Sequence, residues 1–182
     1  MKIALIGATG FVGSAVLTEL LQRGHQVTAL ARNPGKIAAQ PGLTVVQASA
    51  QDAAQVQAAV QGQDAVVSAY NPGWAEPDLY NQFLQGSRAI VQGVRQSGVR
   101  RLLVVGGAGS LFVAPGLQLV DTPEFPAEWK AGALAARDAL NSSQLAGLRL
   151  VFFSTDRAVL ERMTRLNAAA FYCAKLIDMR KL

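Results

Sequence analysis

The stretch Lys2-Ile3-Ala4-Leu5-Ile6-Gly7-Ala8-Thr9-Gly10-Phe11-Val12-Gly13 opens the chain and decides its fold. Its apolar run, residues 3–6, predicts a buried strand over residues 2–7, and residues 12–23 predict a helix. The glycines between them allow a sharp backbone turn, and Gly13 allows the helix to pack closely against the strand. This strand–turn–helix order predicts the first unit of a parallel α/β sheet.

The same turn has the chemistry of an anion site. The first N–H groups of a helix have no partner within it, and its amino end carries a partial positive charge. Glycine lets a phosphate approach the backbone with no Cβ in the way. A glycine turn also joins many strands to helices for structural reasons alone, but this context favours a ligand. We expect the turn to bind the pyrophosphate of a dinucleotide through Gly7, Thr9, Gly10, Phe11, Val12 and Gly13.

Strand and helix patterns alternate along the rest of the chain. Further strands are predicted at residues 25–31, 43–47, 64–69, 100–105 and 148–154. Helices are predicted over 53–60, with Asp52 as its cap, and over 78–97 and 128–144. Residues 112–125 are expected to be an irregular cover over the pocket. The fold class is therefore α/β, a three-layer Rossmann fold with a doubly wound, mainly parallel sheet in the strand order 3-2-1-4-5-6.

Length and composition favour one domain. The chain has 182 residues, of which 51% are hydrophobic, enough for one buried core. No apolar stretch reaches the ~18 residues that a membrane span needs, and no charged leader precedes the first strand, so a cytoplasmic location is expected. A single cysteine and a single histidine, Cys173 and His25, argue against an internal disulfide, a histidine-cluster mechanism and a metal site.

The net charge of +5 belongs mainly to the end of the chain. Residues 157–182 contain six of the 17 Lys and Arg and two of the 12 Asp and Glu, so the body carries little net charge and nucleic-acid binding is not expected. Residues 155–182 are predicted to be a basic helical tail on a Rossmann domain of residues 1–154. Its periodic apolar positions predict packing on the same domain or in a homodimer, with membrane-surface or partner binding as the alternative.

The end of the second strand indicates which cofactor is held. An acidic residue there would bind the ribose hydroxyls of NAD(H), whereas an arginine can pair with the 2′-phosphate of NADP(H). This chain has Arg32, followed by Asn33 and Lys36, although a solvated basic turn would look the same. We therefore expect NADP(H) rather than NAD(H). Other contacts are expected where the remaining strands end at the same edge of the sheet, at Ser49, Ala69, Tyr70, Gly106 and Gly107.

The chain resembles the atypical short-chain dehydrogenases of the NAD(P)H-binding, NmrA-like group. The resemblance is carried by residues 2–13, by the turn Ala31-Arg32-Asn33-Pro34, and by the stretches Asp64-Ala65-Val66-Val67-Ser68-Ala69 and Val104-Val105-Gly106-Gly107-Ala108-Gly109-Ser110-Leu111. Residues 123–131 extend the match, which covers about residues 1–154. The resemblance implies a protein like the NADH-flavin reductases. Ser49 stands where the family usually has an aspartate near the adenine. After Ser154 the resemblance stops, and a divergent, truncated or frame-altered ending would each give this pattern.

The chain lacks the Tyr-x-x-x-Lys pair of ordinary short-chain dehydrogenases. Trp129 stands at the expected tyrosine position, with Ala133 four residues later. Reduction of an aldehyde or ketone needs a positioned proton donor, whereas a flavin or quinone can take hydride and be protonated from solvent. The sequence thus predicts reduction of a planar acceptor. A non-catalytic NADP(H)-sensing regulator, which the NmrA-like resemblance implies, is the alternative, and an epimerase is disfavoured.

Three side chains are candidates for the catalytic end of the site. Ser110 is expected to donate to a carbonyl or flavin oxygen, or else to stabilise its own turn. Trp129 is expected to stack on a planar acceptor, or else to cover the core. Tyr70 follows the fourth strand and is expected beside the nicotinamide.

Overall fold

The computed structural model describes residues 1–142 and 149–153. The strands of the main sheet are β1 (Lys2–Ile6), β2 (Gln26–Ala31), β3 (Leu43–Gln47), β4 (Ala65–Ser68), β5 (Arg101–Val105) and β8 (Arg149–Phe153), and a separate hairpin holds β6 (Phe112–Ala114) and β7 (Leu117–Gln118). The helices are α1 (Phe11–Gln22), α2 (Ala53–Val60), α3 (Leu79–Ser97) and α4 (Ala127–Asn141). Each strand of the sheet begins and ends within about one residue of its predicted position.

The six-stranded sheet has the order β3-β2-β1-β4-β5-β8, and every neighbouring pair is parallel. The predicted Rossmann order is confirmed, with β8 as the sixth strand because the β6–β7 hairpin lies outside the sheet. The strand order reverses at β1: β2 and β3 lie on one side of it, and β4, β5 and β8 lie on the other. Ligands bind at such a switch point, beyond the carboxyl ends of the strands.

Alternation along β1 divides the core into two layers. Ile3 and Leu5 pack in one cluster with residues of α1, including Val16 and Leu20. Ala4 and Ile6 point to the other face, where the cluster includes residues of α2 and α3. All four of these β1 side chains are almost completely buried, so both faces of the strand are covered, as the continuous apolar run predicts.

Two connecting segments differ from expectation. Residues 112–125 are not wholly irregular, because they contain the antiparallel β6–β7 hairpin, whose two-residue turn is Pro115-Gly116 with φ of 76° at the glycine. The sequence also favours a short helix near Ile37, where the structure has instead a single 3₁₀ turn over Pro34–Lys36. The predicted tail, residues 155–182, and its packing lie outside the described residues.

The third and fourth helices are joined by a polar network. Tyr80 on α3 donates its hydroxyl hydrogen to Asp138 on α4 over 2.7 Å, and this hydrogen bond lowers the pKa of the Asp138 carboxyl. Arg137 donates to Asp138 at 3.1 Å and to Asp121 at 2.8 Å. The network fixes α4 relative to α3 and to the segment that precedes α4, and so positions the residues that α4 brings to the edge of the sheet.

Candidate cofactor site

The glycine turn between β1 and α1 is closed by its own backbone. Gly7 has φ of 87°, and its carbonyl oxygen accepts a hydrogen bond from Gly10 N at 3.0 Å. A Cβ on Gly7 would collide with the carbonyl of Ala69 at the end of β4, and a Cβ on Gly13 would collide with the carbonyl of Gly7. Contacts within the protein therefore already require glycine at these two positions.

Gly10 is different, because the protein itself leaves space there. It is exposed, and a Cβ on it would meet only the Gly7 carbonyl oxygen, at 3.4 Å. Gly10 is the N-cap of α1 and provides no side-chain cap hydrogen bond, and the first turn has no acidic residue. The first N–H groups of α1 thus face an open position suited to a phosphate, which is how a pyrophosphate would fit these residues.

Arg32 lies where β2 ends, on the side of the turn expected to receive the adenosine ribose. Its side chain is exposed, and the guanidinium lies 3.5 Å from the carbonyl oxygen of Pro72, in the loop after β4. Asn33 is engaged in its own turn, where its side-chain oxygen accepts from Gly35 N at 3.2 Å. Lys36 is exposed. Arg32 therefore spans from β2 toward the loop after β4, while Asn33 shapes the turn that presents it.

A hydrogen-bonded group joins the end of β3 to the end of β4. Gln51 donates to the hydroxyl of Tyr70 at 3.2 Å and to the side chain of Gln82 at 3.0 Å. Tyr70 donates its own hydroxyl hydrogen to the Gln82 carbonyl at 3.0 Å. Burial raises the pKa of Tyr70, so the phenol is protonated at neutral pH. Ser49 accepts from Gln51 N at 3.2 Å and so belongs to the same turn.

The ring of Tyr70 is seated on α3, where Gly86 has no side chain. A Cβ on Gly86 would collide with the ring and the hydroxyl of Tyr70. The hydroxyl is therefore directed to α3 and Gln51. Beside it, a cavity of ≈ 190 Å³ lies between α3, α4 and the ends of β4 and β5, and Gly106 is among the residues in its wall. Its described walls include no residue of the segment 112–125 that was expected to cover the pocket.

The second glycine loop follows β5 and contains a 3₁₀ turn over Ala108–Ser110. Ser110 donates its hydroxyl hydrogen to the carbonyl of Gly107 at 3.0 Å, and the Ser110 carbonyl accepts from Gln118 at 3.0 Å. The serine thus stabilises its own turn in this structure, while its hydroxyl oxygen keeps lone pairs that can accept a hydrogen bond. Trp129, in the first turn of α4, is half-buried.

Sequence reasoning missed two contacts at this edge. Trp74, in the loop after β4, contacts α4 at Gly132. A lone glycine inside a helical pattern is a signal of close packing, and Gly132 is such a glycine. Gln51 joins Tyr70 to the end of β3, and no local pattern points to that contact because the two residues are brought together only by the sheet.

Two features are absent from the described residues, 1–142 and 149–153. No group of three or more His, Cys, Asp or Glu side chains there is arranged to hold a metal ion. Over the same residues, no helix combines the length and hydropathy required to cross a bilayer.

Known proteins resemble the chain over most of its length. A family model described as NAD(P)H-binding matches residues 7–149. YwnB of Bacillus subtilis, whose name assigns no activity, is 41% identical over 135 residues. That alignment covers 71% of this chain and 59% of YwnB, so the chain spans less than two thirds of that relative.

Two solved structures carry different functional names. One from Bacteroides thetaiotaomicron, named as a candidate epimerase, is 43% identical, has a TM-score of 0.74 and is matched over 84% of this chain and 69% of its own. One from Streptococcus pneumoniae, named as a candidate NADH-flavin reductase, is 34% identical, has a TM-score of 0.71 and is matched over 85% of this chain and 71% of its own. The similarity therefore defines a cofactor-binding fold more closely than it defines a reaction.

Proposed function

The chain belongs to the NAD(P)H-binding family, and from that premise we propose that it is an NADPH-dependent oxidoreductase that reduces a flavin, a quinone or a similar planar acceptor. The observation that carries the proposal is the open amino end of α1 at Gly10, with Arg32 at the neighbouring strand end. The first supplies N–H groups for a pyrophosphate, and the second supplies a cation for a 2′-phosphate.

The turn residues hold the two phosphates in this proposal. The N–H groups at the start of α1, including those of Phe11, Val12 and Gly13, donate to the phosphate oxygens, and Thr9 is exposed beside them. Ala69 and Tyr70 form the wall on the β4 side, because the β4 end packs directly against Gly7. Gly106 and Gly107 border the position that the cofactor reaches after passing the end of β4.

The preference for NADP(H) rests on Arg32. Its guanidinium is exposed, so it can leave the Pro72 carbonyl, a 3.5 Å contact that is long for a hydrogen bond, and pair with a 2′-phosphate. Asn33 holds the turn, and Lys36 adds a second positive charge. No carboxylate stands at the end of β2, where an acidic residue would favour the ribose hydroxyls of NAD(H). Ser49, after β3, is placed near the adenine in this proposal.

When bound, the nicotinamide supplies a hydride, two electrons and one proton, to the acceptor ring. The chain has no Tyr-x-x-x-Lys pair to protonate an alkoxide, so the acceptor's second proton comes from solvent. In this proposal Ser110 accepts a hydrogen bond from the acceptor or donates after rotating from Gly107, Trp129 stacks on the acceptor, and Tyr70 holds the strand end against the cofactor. These residues orient the reaction and exclude water from one side of it.

One observation favours a second candidate, a non-catalytic NADP(H)-sensing protein. The hydroxyl hydrogens of Tyr70 and Ser110 are both donated to backbone carbonyls of the protein itself. A site whose two hydroxyl hydrogens are held in this way can bind cofactor without promoting its oxidation, and cofactor occupancy would then alter the binding of a protein partner.

Absorbance at 340 nm separates the two candidates. Purified protein is mixed with NADPH and, in turn, with riboflavin, FMN and menadione, with equal concentrations of an aliphatic ketone as the control acceptor. The oxidoreductase proposal expects oxidation with at least one planar acceptor and none with the ketone. Micromolar binding of NADPH with no oxidation by any acceptor would contradict it and favour the sensing protein.

A further inference from the structure

Trp74 is a large aromatic residue that the fold leaves exposed at the edge of the candidate site. It is 64% exposed, although a folded chain usually buries most of a tryptophan's surface. It belongs to the loop between β4 and α3, which begins at the carboxyl edge of the sheet. The exposed face of the indole is therefore available to a ligand at this edge of the sheet.

The loop that carries Trp74 is rooted on the glycine turn. Ala69 N donates to the Ile6 carbonyl at 2.9 Å, and the Ala69 carbonyl lies against Gly7. Further along, Asn71 accepts from Gly73 N at 2.8 Å, and Gly73 has φ of 129°, a value that other residues rarely adopt. The loop therefore turns sharply just before Trp74, at a place fixed relative to the candidate cofactor site.

Gly132 of α4 provides the seat for the indole. A Cβ on Gly132 would come within 2.8 Å of Cζ3 and 3.2 Å of Cη2 of Trp74, so one edge of the ring rests on the helix backbone. Leu79 lies beside the same point, at 3.2 Å from that Cβ position. The ring is held along one edge while most of its surface stays exposed.

The second glycine loop meets α4 at the next residue. A Cβ on Gly109 would lie 2.9 Å from the Cβ of Ala133. Leu111, which directly follows this loop, exposes further apolar surface. The loops after β4 and β5 therefore converge on one turn of α4, and together they form an apolar border at the ligand edge of the sheet.

We propose that Trp74 is the stacking platform that selects an electron-poor planar acceptor, such as an oxidised isoalloxazine or a quinone. Indole is an electron-rich ring and stacks favourably in an offset arrangement on a flat, electron-deficient partner. A sugar or an aliphatic ketone gains little from such a surface. The inference rests on the proposed function for the presence of an acceptor, and it names the residue that determines the acceptor's class.

The test compares the wild-type protein with the variant Trp74→Leu. Riboflavin is titrated with each protein in the presence of NADP⁺, and its emission is followed because an indole in contact with the flavin ring quenches it. Trp74→Leu is expected to weaken riboflavin binding about tenfold and to remove most of the quenching, because the variant has no indole to stack on the flavin ring. Binding of NADP⁺ is expected to stay within about twofold of wild type, which also confirms folding.

Phe112→Leu provides the matched control, because Phe112 is 69% exposed on the nearby hairpin. It is expected to leave riboflavin binding within about twofold of wild type. Unchanged binding and quenching in Trp74→Leu would overturn the assignment, and so would the absence of riboflavin and menadione binding by the wild-type protein. Binding that depends on Trp74 but leads to no NADPH oxidation would support the stacking platform and contradict only the proposed reaction.

Discussion

The amino ends of α1 and α2 lie at the same edge of the sheet, yet they are finished in opposite ways. α2 is capped by its own chain, since the Asp52 carboxylate accepts from Ala54 N at 2.9 Å and from Gln55 N at 3.1 Å. α1 begins at Gly10 with no side-chain cap and no acid in its first turn. One helix end already holds an anion that belongs to the protein, and the other is open to an anion from outside.

This difference separates two uses of the same helix electrostatics. Any helix start favours a negative group, so its position alone does not identify a ligand site. The aspartate cap at the start of α2 stabilises that helix, whereas α1 lacks the stabilisation that such a cap would give. The absence of a cap on α1, combined with space at Gly10, is what makes α1 rather than α2 the candidate site.

The largest effect is expected at Gly13, where glycine is required by the fold. The Cβ of Gly13→Ala would collide with the Gly7 carbonyl and lie 3.1 Å from Ala8 Cα, so the turn must move away from α1. A loss of about 3 kcal/mol in the free energy of unfolding is expected by urea denaturation. Gly24→Ala is the control: its Cβ meets nothing within 4 Å and only its φ of 74° is strained, so a loss of about 1 kcal/mol is expected. Equal losses in the two variants would disprove the packing role of Gly13.

A carboxylate at Gly10 would make the start of α1 resemble that of α2. Gly10 has φ of −81° and ψ of 169°, which suit an aspartate cap. In Gly10→Asp the new carboxylate takes the helix N–H groups and repels a pyrophosphate, so NADPH binding is expected to weaken about 100-fold, or ~2.7 kcal/mol, with no loss of thermal stability. Gly10→Ala, which adds only a Cβ, is expected to weaken binding about tenfold. Calorimetric titration that finds wild-type affinity in Gly10→Asp would show that the pyrophosphate binds elsewhere.

Substitution of Arg32, which follows β2, tests whether the candidate site prefers NADPH to NADH. Arg32→Ala removes the cation proposed to bind the 2′-phosphate, so NADPH binding is expected to weaken about tenfold while NADH binding stays within about twofold. Arg100→Ala removes an exposed arginine just before β5, at the opposite edge of the sheet, and is expected to affect neither cofactor. If Arg32→Ala weakened both cofactors equally, the assignment to the 2′-phosphate would be wrong.

The smallest effect is expected at the cap of α2. Asp52→Ala should lower the melting temperature at pH 7 by a few degrees, because two helix N–H groups lose their acceptor. Hydrogen bonds, led by that from the Gln55 backbone N–H, lower the pKa of Asp52, so its stabilisation is complete above the ordinary carboxyl pKa of about 4 and is lost as pH falls through the lower folded value.

The difference in melting temperature between wild type and Asp52→Ala should therefore narrow below about pH 4 in calorimetric scans. Asp78→Ala provides the control, since Asp78 stands at the N-cap of α3 but makes no side-chain cap hydrogen bond there. A difference for Asp52→Ala that stays constant down to pH 2 would contradict the role of the ionised carboxylate.

Local sequence patterns were sufficient for the elements and their order. The apolar run of β1 is buried on both faces, and Asp52 caps α2, because hydrophobic periodicity and capping depend on residues close in the chain. Segment 112–125 was the exception. Its prolines and glycine indicated breaks, but strand pairing between β6 and β7 could not be predicted from them.

The sequence by itself determined the parallel sheet, the glycine turn and the basic residue at the end of β2, since each depends on neighbours a few positions apart. Only the tertiary structure decided why each glycine is there and where each side chain points. Backbone atoms occupy the space that a side chain on Gly7 or Gly13 would need, whereas the space beside Gly10 is open. Tyr70 binds Gln51 and Gln82, and Trp74 rests on Gly132, contacts between residues brought together by the sheet and its helices. Such contacts join positions distant in the chain, and local patterns carry no information about them.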